Sequence, residues 1–171
     1  MDVVQAGKRT LRGITKPFDA QTTAKARKFM KPGSAANVWL FRVSHGYLGS
    51  RWRVGRKLLR GIPVGLFTST GRKSGQRRTV PLLYMSHGDS VVIVASQGGM
   101  PRHPDWYFNI CADPHVTVEL RGRKFEALAE VADAQRRAEL WPLLVDMYPS
   151  FAVYQARAQR EIPVVLCRPI R

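Results

Sequence analysis

The sequence predicts an α+β, mainly β domain in which an antiparallel sheet closes into a barrel, with helices at its edges and a basic arm in front. Three observations carry that expectation. From Gly61 onward, short apolar runs alternate with turn residues, and hairpin connections outnumber crossovers. The chain has 171 residues, enough for one domain with a real core and too few for two comfortable ones. The excess positive charge is concentrated before that point. Residues 1–60 carry 14 Lys and Arg against 2 Asp, a net of +12, whereas residues 61–171 carry 14 against 10 Asp and Glu, a net of +4.

Residues 1–34 are polar, basic and poor in large apolar side chains, and Lys31-Pro32-Gly33-Ser34 forms a break. They are predicted to be loosely ordered, with a helical turn or two around residues 22–30. Residues 35–61 differ. Val38, Trp39, Leu40, Phe41, Val43, Tyr47 and Leu48 interleave with Arg42 and His45, and Arg51, Trp52, Arg53, Arg56 and Lys57 follow. That pattern predicts an amphipathic helical segment with aromatic residues on one face and Arg on the other. Packing on the domain and lying on an anionic membrane surface both fit it, the first being the more ordinary outcome.

Residues 62–171 form the barrel domain. Strands are predicted at residues 63–68, 79–85 and 91–95, the last two joined by the hairpin turn Ser86-His87-Gly88-Asp89-Ser90. Gln97-Gly98-Gly99-Met100-Pro101 is a glycine-rich loop. Pro104 and Asp105 start a short helix through Ile110 that Asp113-Pro114 stops. Residues 115–120 and 124–131 pair across Arg121-Gly122. Asp133 caps a helix running to about residue 148 and bent at Pro142; Pro149-Ser150 opens another to about residue 158; residues 163–168 close the fold as a strand.

The composition narrows the function. A net charge of +16 and a pI near 10.9 predict acidic partners, namely nucleic acid, an anionic membrane surface or a multiply negative small molecule. Cys111 and Cys167 sit in apolar settings and are expected as small buried hydrophobes. The basic N-terminus lacks a following apolar region, and no run has the length of a membrane span, which predicts a soluble or peripheral protein of a reducing cytoplasm. His45, His87, His103 and His115 are scattered without metal-ligand spacing, and neither a nucleophile elbow nor a Walker A or dinucleotide fingerprint is present. Hydrolytic and metal-assisted chemistry are not expected.

Four clusters remain. The turn Thr68-Ser69-Thr70-Gly71-Arg72-Lys73-Ser74-Gly75-Gln76-Arg77-Arg78 lies between two strands. Its glycines can present backbone N–H groups to an anion, its hydroxyls add donors, and Arg72, Lys73 and Arg78 add charge. A solvated hairpin turn is the bland alternative; the density of donors favours binding. Ala95-Ser96-Gln97-Gly98-Gly99 would let a flat ring approach the backbone and leave two glycine N–H groups available. The aromatic runs Trp106-Tyr107-Phe108-Asn109 and Met147-Tyr148-Pro149-Ser150-Phe151-Ala152-Val153-Tyr154 are ordinary core packing when taken singly, and suggest an aromatic-lined pocket only beside the basic turn.

In order and spacing, Thr70-Gly71-Arg72-Lys73-Ser74-Gly75-Gln76, Pro81-Leu82, Ala95-Ser96-x-Gly98-Gly99, Pro104-x-Trp106-Tyr107, Trp141-Pro142 and Met147-Tyr148-Pro149-Ser150 closely resemble the deazaflavin-dependent nitroreductases. The resemblance implies a split β-barrel that uses coenzyme F-420, an 8-hydroxy-5-deazaflavin carrying a phosphodiester and an oligoglutamate tail. It implies that Thr70, Gly71, Arg72, Lys73 and Arg78 hold the phosphate and tail with Trp106 beside them, and that Pro81, Ser96, Gln97 and Gly98 border the ring. Tyr148, then Ser96, then Tyr154 are the residues it suggests for orienting substrate and donating a hydrogen bond or proton. The implied substrate is a small-molecule electrophile, a quinone, activated enone or nitroaromatic, and a membrane quinone would give residues 1–60 a purpose as a peripheral membrane contact on the inner face of the cell membrane. Three positions depart from the family pattern. Gln97 replaces Lys, Val80 replaces a polar Asn, and Phe151 replaces a pocket Tyr, which bears on nitroimidazole reduction.

Two rival readings share part of this ground. An FMN-dependent split-barrel oxidoreductase needs only a monophosphate site, which leaves the surplus Arg and Lys unexplained. A non-enzymatic basic nucleic-acid-binding protein would use the +16, but the barrel domain holds only +4 of it and has no reading motif, so no specific nucleic acid is expected.

Overall fold

The computed structural model describes residues 38, 39, 41–44, 51, 52 and 61–170. The expectations for residues 1–34 lie outside the described residues.

Seven strands are described: β1 (Arg51–Trp52), β2 (Ile62–Thr70), β3 (Arg77–His87), β4 (Ser90–Val94), β5 (His115–Leu120), β6 (Arg123–Val131) and β7 (Val164–Pro169). The sheet order is β1-β2-β3-β4-β7-β6-β5, every pairing is antiparallel, and β5 returns to β2, so β2 to β7 form a closed six-stranded barrel. Closure removes the free sheet edges that an open sheet of this length would expose. The helices are α1 (Asp105–Ala112), α2 (Ala134–Met147) and α3 (Ser150–Arg157). Asp133 caps α2 as its side chain accepts from the Arg136 N–H at 2.7 Å, and the helix continues through Pro142.

Two apolar cores follow from strand alternation. Inside the barrel, Phe67, Ile93, Val116, Val118, Ala127 and Val165 meet Trp106 and Ile110 of α1. On the outer face of β4 and β7, Val92, Val94, Val164 and Leu166 meet Leu140 and Leu144 of α2 and Phe151 of α3. Helix α1 therefore packs into the barrel, while α2 and α3 pack on its flank.

The segment before the barrel differs in part from expectation. Residues 38, 39 and 41–43 are helical, Phe41 is buried, and the Arg42 guanidinium donates to Glu119 (2.8 Å) and Thr79 (3.4 Å) on the outer face of β5 and β3. Arg51 and Trp52 are not helical. They form β1, antiparallel to Pro63 and Ile62. A second difference is Cys111, which is exposed, whereas Cys167 is buried as expected.

Candidate active site

The basic turn spends its backbone on itself. The Gly71 N–H donates to the Gln76 carbonyl (2.8 Å), and Ser74 and Gly75 donate to the Gly71 carbonyl (3.0 and 2.7 Å). The Arg72 N–H donates to Asn109 Oδ1 (3.2 Å) and the Gln76 N–H to Ser74 Oγ (3.4 Å). The expected cradle of backbone amides is thus closed, because the turn needs those donors to hold its own shape. The hydroxyls are engaged as well. Ser69 is buried and accepts from Asn109 Nδ2 (3.3 Å), while Thr70 hydrogen-bonds Asp113, whose carboxyl is held below the ordinary range chiefly by the bond from His115.

The basic side chains of the turn have separate surroundings. Arg78 donates to Gln76 Oε1 (2.8 Å), and Arg77 reaches Thr117, which in turn donates to Glu126 (2.7 Å). Arg72 and Lys73 are exposed, and the Arg72 guanidinium lies 5.2 Å from the centre of the Phe108 ring. Arg102 approaches the same ring at 5.4 Å, with an exposed partner in Asp105 (3.3 Å). Two guanidinium groups thus gather on one aromatic ring, with Lys73 next to Arg72 in the chain, an arrangement whose chemistry suits a multiply charged anion.

From Phe108 the contacts continue through α1 to the glycine-rich loop. His103 stacks on Tyr107 at 4.7 Å and meets Phe108 edge-on at 5.9 Å. Burial, then the charge of Arg160, lowers the His103 pKa; burial and the neighbouring Cys111 raise that of Tyr107. Gln97, Gly98 and Gly99 all have positive φ (45°, 67° and 81°), and Gln97 is the one non-glycine among the described residues to do so. The Gly99 N–H donates to the Ser96 carbonyl (2.9 Å), so that amide is not available to a ligand as expected. The Gln97 side chain turns inward too, its amide nitrogen facing the carbonyls of Arg102 and His103 at 3.2 Å each, which is the orientation that satisfies both. Around Gly98 the space is open, since a Cβ built there meets no atom within 4 Å.

The loop packs directly on α3. A Cβ at Gly99 would stand 2.7 Å from the Tyr154 carbonyl oxygen, so only glycine allows this approach. Tyr154 and Tyr148 place their hydroxyls 3.1 Å apart. Burial, reinforced by that hydrogen bond, holds the Tyr154 phenol well above its ordinary pKa, so it keeps its proton throughout the neutral range. Tyr148 rests edge-on against buried Phe151 at 5.1 Å. Phe151 thus serves as a core platform for Tyr148.

Of the remaining expected residues, Ser96 is buried at the foot of the loop. Trp106 is 8% exposed and belongs to the barrel core, which places its ring beneath the site as packing. Pro81 lies opposite Leu66 on the strand face shared with Leu83 and Met85, which pack on the core that Tyr148 borders. Three residues had no individual role assigned from the sequence, where Asn109 appeared only within an aromatic run and Arg102 and Arg160 not at all. Asn109 joins the basic turn to α1, Arg102 completes the cation pair, and Arg160 donates from its guanidinium to the carbonyls of Ala95 (3.2 Å), Ser96 (3.3 Å), Met100 (3.2 Å) and Arg102 (3.4 Å). A buried-type Asn inside an aromatic helix was a usable signal for the first; Arg102 and Arg160 lie in loops with no pattern to mark them.

The closed six-stranded antiparallel barrel with helices on its flank is a split-barrel fold, and its cations on Phe108, its glycine-rich loop and its tyrosine hydroxyl pair lie along one run of contacts. The family model described as F420H(2)-dependent quinone reductase matches residues 36–169. F420H(2)-dependent quinone reductase Rv1261c of Mycobacterium tuberculosis is 36% identical over 123 residues, 70% of this chain and 83% of that protein. A solved structure described as an F420-H2 dependent reductase (FDR-A) is 40% identical with a TM-score of 0.58, covering 62% of this chain and 94% of that one. A second, described as a domain-swapped dimer, is also 40% identical with a TM-score of 0.59, covering 62% and 80%. The chain belongs to the F420H(2)-dependent quinone reductase family. It is an oxidoreductase whose cofactor is coenzyme F-420, and the FMN alternative is not needed.

Proposed function

We propose that this protein reduces a quinone with reduced coenzyme F-420, and that Tyr148 orients the quinone and hydrogen-bonds the oxygen on which charge develops. The observation that carries this reading is the Tyr148–Tyr154 hydroxyl pair, 3.1 Å apart, in which Tyr154 stands on the helix that packs against the Gln97–Gly99 loop and Tyr148 just before it. The cations gathered on Phe108 suit the phosphodiester and tail, and the open backbone at Gly98 suits the edge of a flat ring. When bound, the cofactor supplies a hydride. The chain's own task is to hold the acceptor carbonyl in place, keep a donor aimed at its oxygen and exclude water. A quinone that gains a hydride becomes a quinol monoanion and needs one proton; Tyr148 supplies the hydrogen bond and Tyr154, 3.1 Å behind it, is the next donor in line. Ser96 is the second polar group of this end and Arg72, Lys73, Arg78 and Arg102 the cationic end.

Activated enones present the same developing oxyanion and fall within this mechanism. Nitroimidazole reduction is disfavoured by Phe151, which is buried and brings no hydroxyl. The quinone source is the membrane: Trp39 and Val43, four apart on the helical residues, are 65% and 61% exposed while Phe41 is buried. No described helix is long and apolar enough to cross a membrane, and the contact proposed is a peripheral one.

The test is steady-state oxidation of reduced F-420 by a menaquinone analogue. Tyr148→Phe is expected to lower kcat by about a hundredfold and to leave cofactor affinity unchanged. Wild-type kcat in that variant would remove Tyr148 from the mechanism.

A further inference from the structure

We propose that Arg160 is the positioning residue of the ring end: its guanidinium holds the loop from Ala95 to Arg102 in the backbone form that seats Gly99 against Tyr154 and leaves Gly98 open. The inference rests on the reading that this loop borders the cofactor ring.

The argument starts from Gln97. A side-chain-bearing residue at φ 45° occupies a conformation that glycine tolerates and others resist, and it persists only where its surroundings over-determine it. Gly98 and Gly99 follow in the same region, so the loop makes a left-handed excursion that nothing in its own sequence enforces at Gln97. Arg160 supplies the enforcement. Nη2 donates to the carbonyls of Ala95, Ser96 and Arg102, and Nε to that of Met100, so one planar group ties both limbs of the loop together. Nη1 donates to the Glu161 carbonyl at 3.4 Å. Burial pulls the guanidinium below its usual pKa, yet it stays charged, which strengthens each of these bonds.

Arg160 is itself anchored to α3, the helix that carries Tyr154. Its carbonyl accepts from Gln155 Nε2 (2.9 Å), and Gln155 Oε1 accepts from Arg137 Nη2 and from the Ile162 N–H, both at 2.9 Å. The same residue therefore holds the loop and is held to α3, so it works with the direct Gly99–Tyr154 approach to fix the loop against that helix. Arg160 touches neither hydroxyl among its hydrogen bonds, and its role is positional.

Arg160→Met, Arg160→Lys and the pair Arg160→Met with Gln97→Gly test this on the full chain. Loss of several charge-assisted bonds is expected to raise the F-420 dissociation constant at least about tenfold in Arg160→Met. In the cofactor-free protein, amide exchange at Gly99 and Met100, whose N–H groups bond Ser96 and Gln97, is expected to accelerate while the β2–β3 ladder stays protected. Arg160→Lys should fall between, since an ammonium cannot bridge both limbs. Adding Gln97→Gly should recover part of the affinity, because glycine adopts the loop conformation unaided. Where Arg160→Met does not accumulate as folded protein, Arg160→Lys decides. Wild-type affinity with wild-type exchange at Gly99 in either variant would overturn the proposal, and so would loss of protection spread evenly over the barrel. Failure of the unaltered protein to bind F-420 would instead sink the functional reading beneath it.

Discussion

Single side chains in this protein divide by what surrounds them, and the division is testable. Burial drives the Cys167 thiol up to about 12, whereas Cys111 is exposed. A thiol reagent at neutral pH is therefore expected to label Cys111 alone in the native protein, with Cys167 reacting only on unfolding; mass mapping of the adducts checks this. His103 is held below its ordinary 6.5 by burial and then by Arg160, and its Nδ1 is buried without a partner among the described residues. The unfolded chain then binds the extra proton more readily. Stability from a neutral His103 is complete above about 6.5 and declines as pH falls below it. A His103→Phe variant, which keeps a ring against Tyr107, should show a smaller drop in melting temperature between neutral and mildly acidic pH. Tyr148, Tyr154 and Ser96, which the proposal uses, were legible as candidates in the sequence because named clusters frame them. Arg102 and Arg160 were not, since their contacts depend on which loop meets which helix, and no local pattern encodes that.

Elements were easier to read than the roles of their residues. Strands beyond Gly61 alternate cleanly, and Asp133 announces its helix, so both appear where expected. Replacing Asp133 with Ala should cost about 1 kcal/mol, read as a shift in the denaturation midpoint. The segment around Arg51 and Trp52 misled because alternating Arg and aromatic residues suit one face of a helix and one face of a strand equally; pairing with Ile62 and Pro63 decided it. The basic turn misled differently. Glycine and hydroxyl content suggested a cradle of free amides, but a tight turn consumes such donors internally, and only the registered strands show which ones. At the other loop, Gly99→Ala combines a strained φ of 81° with a Cβ 2.7 Å from the Tyr154 carbonyl. It should destabilise by about 2 kcal/mol and separate the loop from α3, seen as weaker cofactor binding.

For the molecule as a whole, the net charge of +16 pointed toward nucleic acid until it was divided along the chain. The barrel keeps a small excess, and it places two of its cations together on Phe108. Contacts then run from that cationic end through His103 and Tyr107 to the loop and on to the tyrosine pair, a layout suited to a cofactor with a charged tail and a reactive ring. The proposed membrane contact rests on Trp39 and Val43, both exposed. Trp39→Ser with Val43→Ser should weaken binding to anionic vesicles by about tenfold or more, measured by co-sedimentation; unchanged binding would confine the helix to packing on the barrel. The most direct measurement is a titration of the full chain with coenzyme F-420 and, in parallel, FMN at physiological salt. Saturable binding of F-420 at micromolar concentration or tighter, weakened by charge removal at Arg72 and Arg102, is the predicted result. Saturable binding of FMN with none of F-420 would contradict the account.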